Sequence, residues 1–412
     1  MSKVKYSLAI ILFMENKLYF KTKNIRDVTA SLERERETIG FYDLPLEDTQ
    51  KYIEFAADHD CSEVVIVGIG GSALGASAIY KFIKSVKELP KQLHILDTTD
   101  PIVLQRRLDK VNLDKALFIV ISKSGTTIET VAILKYISSL VPINSKQYVV
   151  ITDENSKLEA FAKHHDLSFF TIPSDVGGRF SVLSAVGLLP LALVGIDIKA
   201  LLAGANKIRA SFFDNESYCS LLLDKATFYA QNANTYNINC LFSYSESFRE
   251  LNAWYVQLWG ESLGKKQLNS ELHVGLTPVG LIGPTDQHSF LQLIVEGKRD
   301  KSVTVIKVKQ FENEMKVPKE SLTHLEEMDL VNGLAFSELI NMQADSIIES
   351  LDQLDDIPLD VIEIEQINEA AIGQLIYYYE LLTAMVAQML GINAYDQPGV
   401  EMGKKILKEK LL

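Results

Sequence analysis

The chain is poor in cysteine, in positive charge and in long unbroken apolar runs, and each shortage removes a class of protein. Cys61, Cys219 and Cys240 stand far apart and form no C-x-x-C pair, which excludes a disulfide framework and a cysteine-based zinc site. A reducing, cytoplasmic setting fits. Against 54 Asp and Glu there are only 41 Lys and Arg, a net charge of −13, so nucleic acid is not an expected partner, because a phosphate backbone needs a basic face. An anionic ligand would have to meet a locally basic pocket. The longest apolar run, 182–196, is short for a bilayer span and is broken by Pro190, so no membrane segment is expected. The apolar stretch Leu8 to Met14 is followed by Glu15, Asn16 and Lys17 with no small-residue cleavage site; it reads as a strand or buried segment and not as a signal peptide.

What the chain does have is a repeated alternation of strand, polar turn and helix. Over 412 residues, 47% of them hydrophobic and 23% charged, this predicts an α/β protein of two ordinary domains. The central stretch is Phe118 to Val131. Ala116 and Phe118 to Ile121 read as a buried parallel strand, and a helical pattern begins at Thr127. Between them, Ser122, Lys123, Ser124, Gly125, Thr126 and Thr127 concentrate hydroxyls, an ammonium and the free N–H groups of a helix start. That chemistry suits a dianionic phosphate; the plainer reading is a capped polar turn.

A second such loop precedes it. Strand 63–67 ends in Gly68-Ile69-Gly70-Gly71-Ser72-Ala73, and strand 94–96 ends in Asp97. Gly68, Gly70 and Ala73 satisfy a relaxed dinucleotide fingerprint with Asp97 near the ribose position, so an NAD(P)-dependent oxidoreductase is a competing reading. It leaves the hydroxyl-rich loop after the strand at 118–121 unexplained, whereas one phosphate could be reached from both loops, with Ser72 donating from the first. A third loop, 173–181, contains Gly177, Gly178 and Arg179, and an arginine beside two glycines is suited to face a ligand.

The architecture recurs after Asn215, with strands at 238–244, 303–308 and 361–364. A helix over 250–259 puts Gln257 and Glu261 one turn apart, with Glu261 in a closing glycine-flanked stretch, Trp259 to Lys265. His288 is the one histidine in a turn rich in Gly, Pro and Thr. A long apolar helix over 368–390 is stopped by Gly391, and a glycine-bearing turn leads to a last helix with Lys404 and Lys405, which would by default be a solvated face. The chain divides into an N-terminal appendage at 1–50, a phosphate-binding domain at 51–214, a second domain at 215–390 and a terminal segment at 391–412.

Taken together these motifs resemble the phosphoglucose isomerase family, built from two doubly wound, parallel-sheet sugar-isomerase (SIS) domains with a C-terminal helical segment. Gly68 to Ser72 is similar to that family's GIGGS loop, Ser122 to Thr127 to its serine-lysine loop and Gly178 to Ser181 to its GGR[FY]S signature. Trp259 to Lys265 resembles its glutamate loop, Asp286 to Ser289 its histidine loop and Asp396 to Lys404 its DQxGVExGK signature; Leu263 departs from a commonly polar position, which would alter the pocket's edge. The resemblance implies an aldose–ketose isomerase for glucose 6-phosphate and fructose 6-phosphate, working through a cis-enediolate with no metal or redox cofactor. Glu261 is then the base, Arg179 the cation beside the enediolate, and His288 and Lys404 the ring-opening pair. Gly70, Gly71, Ser72, Ser122, Lys123, Ser124, Thr127 and Gln257 bind substrate. It further implies a homodimer with sites shared between subunits. A noncatalytic sugar-phosphate sensor would keep the phosphate loops without needing the four catalytic side chains together.

Overall fold

A computed structural model describes residues 14–412; of the apolar stretch expected to be a strand or buried segment, 8–13 lies outside the described residues. The first described strand, β1 (Glu15–Leu18), is followed by the strands of a five-stranded sheet, β2 (Glu63–Val67), β3 (Gln92–Leu96), β4 (Ala116–Ile121), β5 (Tyr148–Thr152) and β6 (Ser168–Thr171). These are all parallel, in the order β3-β2-β4-β5-β6, with Val65 paired to Phe118 and Phe118 to Tyr148. Every residue of β4 and β5 is buried, the result expected of near-continuous Val, Ile and Phe covered by helices on both faces. Helices α1 (Leu74–Lys84) and α2 (Ile128–Leu140) follow β2 and β4. Their N-termini therefore flank the position where strand order reverses, the place where such sheets bind ligands.

Helix α3 (Ile198–Phe213) leads into the second half. Its strands are β7 (Ile238–Ser243), β8 (Thr277–Ile282), β9 (Lys301–Val308) and β10 (Leu359–Ile364), interleaved with helices α4 (Arg249–Leu263), α5 (Phe336–Asp352) and α6 (Glu369–Leu390). The sheet order is β1-β10-β9-β7-β8. Counted from the first strand of each half, both sheets share one winding, and the position that β6 fills in the first is filled in the second by antiparallel β1, which pairs Glu15 with Glu363. Part of the segment set apart as an N-terminal appendage is thus a strand of the second sheet. The short strand β8 is not apparent in the sequence because Pro278 and Gly280 interrupt it; at the sheet edge a proline is tolerated, since no ladder partner needs its N–H.

One apolar core joins the halves, with α6 at its centre. Among the described residues α6 is the one helix long and apolar enough to cross a membrane, and it is almost entirely buried inside the protein. Gly204 and Gly373 let α3 and α6 approach backbone to backbone: a Cβ on Gly373 would lie 2.0 Å from the Leu201 carbonyl oxygen. The last helix, α7 (Glu401–Leu411), has no buried residue.

Candidate active site

Helix α4 from the second half packs along α1 from the first and carries the candidate base to the glycine loops. The helix runs through Gly260 to Leu263, so Glu261 lies in its last turns and not in a loop after it. Gly260 packs beside β8, where a Cβ would make an ordinary contact 3.4 Å from Pro278. The same extension turns Leu263 inward, where it is fully buried; it does not form the pocket's edge. Gln257 and Glu261 face one point, Gln257 Nε2 donating to Glu261 Oε2 at 3.2 Å. Among buried side-chain oxygens, Gln257 Oε1 has no partner in the protein.

Gly70 and Gly71 are needed by contact. Gly70 has φ +60, and its Cβ would fall 2.9 Å from Gln257 Nε2; a Cβ on Gly71 would meet the Gly178 carbonyl oxygen at 2.3 Å. Only glycine fits such a close approach, and at Gly70 the left-handed φ adds to the demand. The loop after β2 is thereby pressed against both the Gly178-Arg179 turn and the Gln257 face of α4.

Arg179 is the hub. Its guanidinium is buried, and Nη1 lies 3.3 Å from Glu261 Oε1. Nε donates to Ser262 Oγ at 2.7 Å, Nη1 to Gln397 Oε1 at 3.2 Å and Nη2 to the Asp396 carbonyl at 3.0 Å, with the Ala394 carbonyl also accepting from Nη2. Burial pushes the Arg179 pKa down, while Glu261 and Asp396 pull it back up. A guanidinium so held stays charged, and its planar fork is aimed by the acceptors around it. Lys265 Nζ, itself buried, bonds Asp396 Oδ1 at 2.9 Å and also the Asp396 carbonyl. Nothing in the sequence singles out Ser262, Lys265, Gln397 or the carbonyls of Ala394 and Asp396, although all but Ala394 lie inside stretches that the motifs mark.

The loop after β4 brings two of its hydroxyls together and turns its lysine away. Ser122 Oγ and Thr127 Oγ1 are 3.0 Å apart, and Gly125, at φ +65, turns the chain between them. Ser124 and Thr126 are exposed, and Ser124 Oγ accepts from the Thr126 N–H at 3.3 Å. Ser72 sits across from them at the start of α1, and a Cβ on Gly68 would lie 2.8 Å from Ser72 Cβ and 3.1 Å from the Ile121 carbonyl oxygen. The lysine is Lys123. Its ammonium donates to the carbonyls of Ser174 at 2.9 Å and Val176 at 2.7 Å, so the side chain ties this loop to the one that carries Arg179.

Two candidates are not hydrogen-bonded into this cluster. His288 follows the short helix Gly283–Asp286, with its backbone N–H on the Thr285 carbonyl and its side chain exposed. Lys404 lies on α7 and pairs with Glu401 at 2.8 Å. Among the described residues no hydrogen bond joins either of them to Glu261 or Arg179. Asp97, the ribose-binding candidate of the dinucleotide reading, is occupied by Arg107.

Comparison with known proteins gives the family. The phosphoglucose isomerase family model matches residues 53–411. A glucose-6-phosphate isomerase of Campylobacter jejuni is 40% identical over 412 residues, covering 97% of this chain and 99% of that one; one from Methanocaldococcus jannaschii is 34% identical over 375 residues, covering 89% and 88%. Among solved structures, a protein of Thermus thermophilus described as hypothetical superposes with a TM-score of 0.83 at 32% identity, covering 93% of this chain and 95% of that one. A Chlamydia trachomatis glucose-6-phosphate isomerase shares the fold, with a TM-score of 0.76 at 23% identity over 95% and 76% of the two chains. With a family model spanning most of its length and relatives aligned almost end to end, the chain belongs to the phosphoglucose isomerase family.

Proposed function

We infer that the chain interconverts glucose 6-phosphate and fructose 6-phosphate, in the direction of glycolysis or of gluconeogenesis according to supply. The observation that carries the reading is the Arg179–Glu261 pair at 3.3 Å, a base and a fixed cation facing the same space beside two glycine-lined loops. Moving a proton between C1 and C2 needs a base on one face of the sugar and positive charge where the enediolate oxygens develop. Glu261 takes the proton from one carbon and returns it to the other, Gln257 orients its carboxylate, and Arg179 stabilises the enediolate.

The 6-phosphate is held by Ser72, Ser122, Ser124 and Thr127 with the N-termini of α1 and α2, which favour negative charge. Lys123 serves as the anchor of that loop. His288 and Lys404 open the sugar ring. The exposed His288, with no hydrogen bond to the cluster within its own chain, suits a homodimer in which it enters the neighbour's site, each site then being built from two subunits in a cytoplasmic enzyme. The enediolate route asks for no metal and no redox cofactor. The two sheets support reading 51–214 and 215–390 as sugar-isomerase units, with 391–412 as the segment that clamps Arg179 and presents Lys404.

The sensor reading is less economical, because a binding module has no use for Glu261 braced by Gln257 against a buried arginine. A coupled assay that follows glucose 6-phosphate formed from fructose 6-phosphate tests the reading. Steady turnover, inhibited by 6-phosphogluconate, is expected; binding of both sugar phosphates without turnover would favour a sensor.

A further inference from the structure

The acceptors that aim Arg179 lie on one short strap, 394–397. Asp396 and Gln397 spend their side chains inside the site, on Lys265 and Arg179. Tyr395 stands between the two residues whose carbonyls take Nη2, and its side chain reaches elsewhere. The ring packs against Phe180, the neighbour of Arg179, with 5.3 Å between centroids, and against Phe41 at 6.1 Å. The hydroxyl donates to Glu35 Oε1, which also accepts from the Tyr42 hydroxyl at 3.1 Å. Among the described residues, Tyr395 is the one strap residue whose side chain hydrogen-bonds outside the site.

Glu35 and Tyr42 belong to the N-terminal appendage, to which no motif assigns a role. The helix Thr29–Arg36 carries the first and the tight turn Gly40–Leu46 the second. Both are tied to the core. Asp43 takes Arg36 at 2.8 Å and Arg209 of α3 at 2.6 Å, and the Tyr42 carbonyl accepts from the Tyr377 hydroxyl of α6 at 2.9 Å. The same turn also holds the loop that carries Arg179: the Gly40 N–H donates to the Asp175 carbonyl at 3.2 Å, between the Ser174 and Val176 carbonyls that Lys123 takes. The arginine's own loop and the strap of its acceptors are thus fixed to one frame. A carboxylate shared by two hydroxyls makes charge-assisted bonds, about twice as strong as neutral ones, so the joint between frame and strap is a stiff one.

We propose that Glu35 and Tyr395 are positioning residues for the isomerisation: the Tyr395 hydroxyl on Glu35 fixes the strap, and the strap's carbonyls fix the angle at which the Arg179 fork meets the enediolate. Among the described residues no hydrogen bond joins Glu35 to Arg179 or Glu261; it acts through Tyr395 and the strap. Misplacing a group by about 1 Å can cost on the order of 10²-fold in rate, so a joint removed from the chemistry is felt in turnover. The enediolate exists only on the way between the two sugars, and the effect therefore falls on kcat and not on KM. The proposal rests on the reading that Arg179 stabilises the enediolate.

The test is a double-mutant cycle in the full-length enzyme. Tyr395→Phe keeps the ring against Phe180 and Phe41 and removes only the hydroxyl; kcat for fructose 6-phosphate should fall at least ~5-fold, with KM within about twofold of the parent. Glu35→Ala should lose as much. Glu35→Gln, whose amide oxygen can still accept both hydroxyls, should recover most of it. Arg179→Lys keeps a cation, and with it a residual turnover to measure; in that background Tyr395→Phe should cost less than about twofold more, since the fork it aims is gone. A tyrosine that merely supported the fold would lower activity by the same factor in both backgrounds. Unchanged kcat in Tyr395→Phe and Glu35→Ala, a loss that appears in KM instead, or an equal loss with and without Arg179 overturns the proposal. Failure of the underlying reading looks different: Arg179→Lys with the parent's kcat would remove Arg179 from the enediolate, whatever Tyr395 does.

Discussion

The chemistry of this site is carried by few side chains, and most of their atoms are already committed to one another. Arg179 spends its hydrogen bonds on Ser262, Gln397 and two carbonyls and keeps Nη1 beside Glu261. Glu261→Gln keeps the shape and removes the basicity, so turnover should fall by at least ~10² while 6-phosphogluconate still binds; near-normal turnover would remove Glu261 from the role of base. Thr127→Val deletes one hydroxyl facing Ser122 and should weaken 6-phosphogluconate about tenfold, the loss of one charge-assisted hydrogen bond. Titration calorimetry reads it, and unchanged affinity would place the phosphate elsewhere. These residues are legible in sequence because hydroxyls, glycines and a lysine crowd into loops between apolar strands. The orientation of Lys123 is not: nothing in Ser-Lys-Ser-Gly shows that the carbonyls of Ser174 and Val176, far along the chain, take up its ammonium.

At the scale of elements, the buried parallel strands and the long helix α6 can be read from apolar runs and their caps. Asn368 caps α6 by accepting from the Ala371 N–H, and Gly391 ends it at φ 68. Less legible are β1 and β8, since an edge strand of four residues and a strand broken by Pro278 lack the apolar signal that burial on both faces imposes. The end of α4 is hidden because Gly260 looks like a stop, although the helix runs on to Leu263.

Helix α6 also carries a group whose cost can be measured. Both carboxyl oxygens of Glu380 are buried without a partner, and burial pushes its pKa well up. A carboxyl with a raised folded pKa favours the folded state most below its unfolded value, near pH 4.5, and that advantage is lost as pH rises through the folded titration. Glu380→Gln should therefore gain stability relative to the parent as pH rises, by up to ~1.4 kcal/mol per pH unit across that window. Thermal melts at about pH 5 and about pH 8 check the sign; a gap that narrows with pH would show that Glu380 is paired.

For the whole molecule, one chain assembles the base and the cation but leaves His288 exposed, and in the proposed dimer a second copy closes the site. Mixing inactive Glu261→Gln and His288→Ala chains under subunit exchange should restore about a quarter of wild-type activity, since half of randomly paired dimers are mixed and each then holds one intact site. With exchange confirmed by mass, no recovery would put His288 in its own chain's site. The order of the strands and the motifs can be read from one chain; which surfaces meet between two chains cannot, because an exposed histidine looks the same in sequence whether water or a partner covers it.

In the proposed mechanism a protein base, not a direct hydrogen shift, carries the proton between C1 and C2. A base can exchange its proton with solvent while the enediolate lasts. Fructose 6-phosphate converted by the enzyme in D₂O, with the glucose 6-phosphate read by proton NMR, measures this directly. Solvent deuterium at C2 of the product is expected; only protium at C2 after many reversible turnovers, together with undiminished turnover in Glu261→Gln, would contradict a base-mediated transfer.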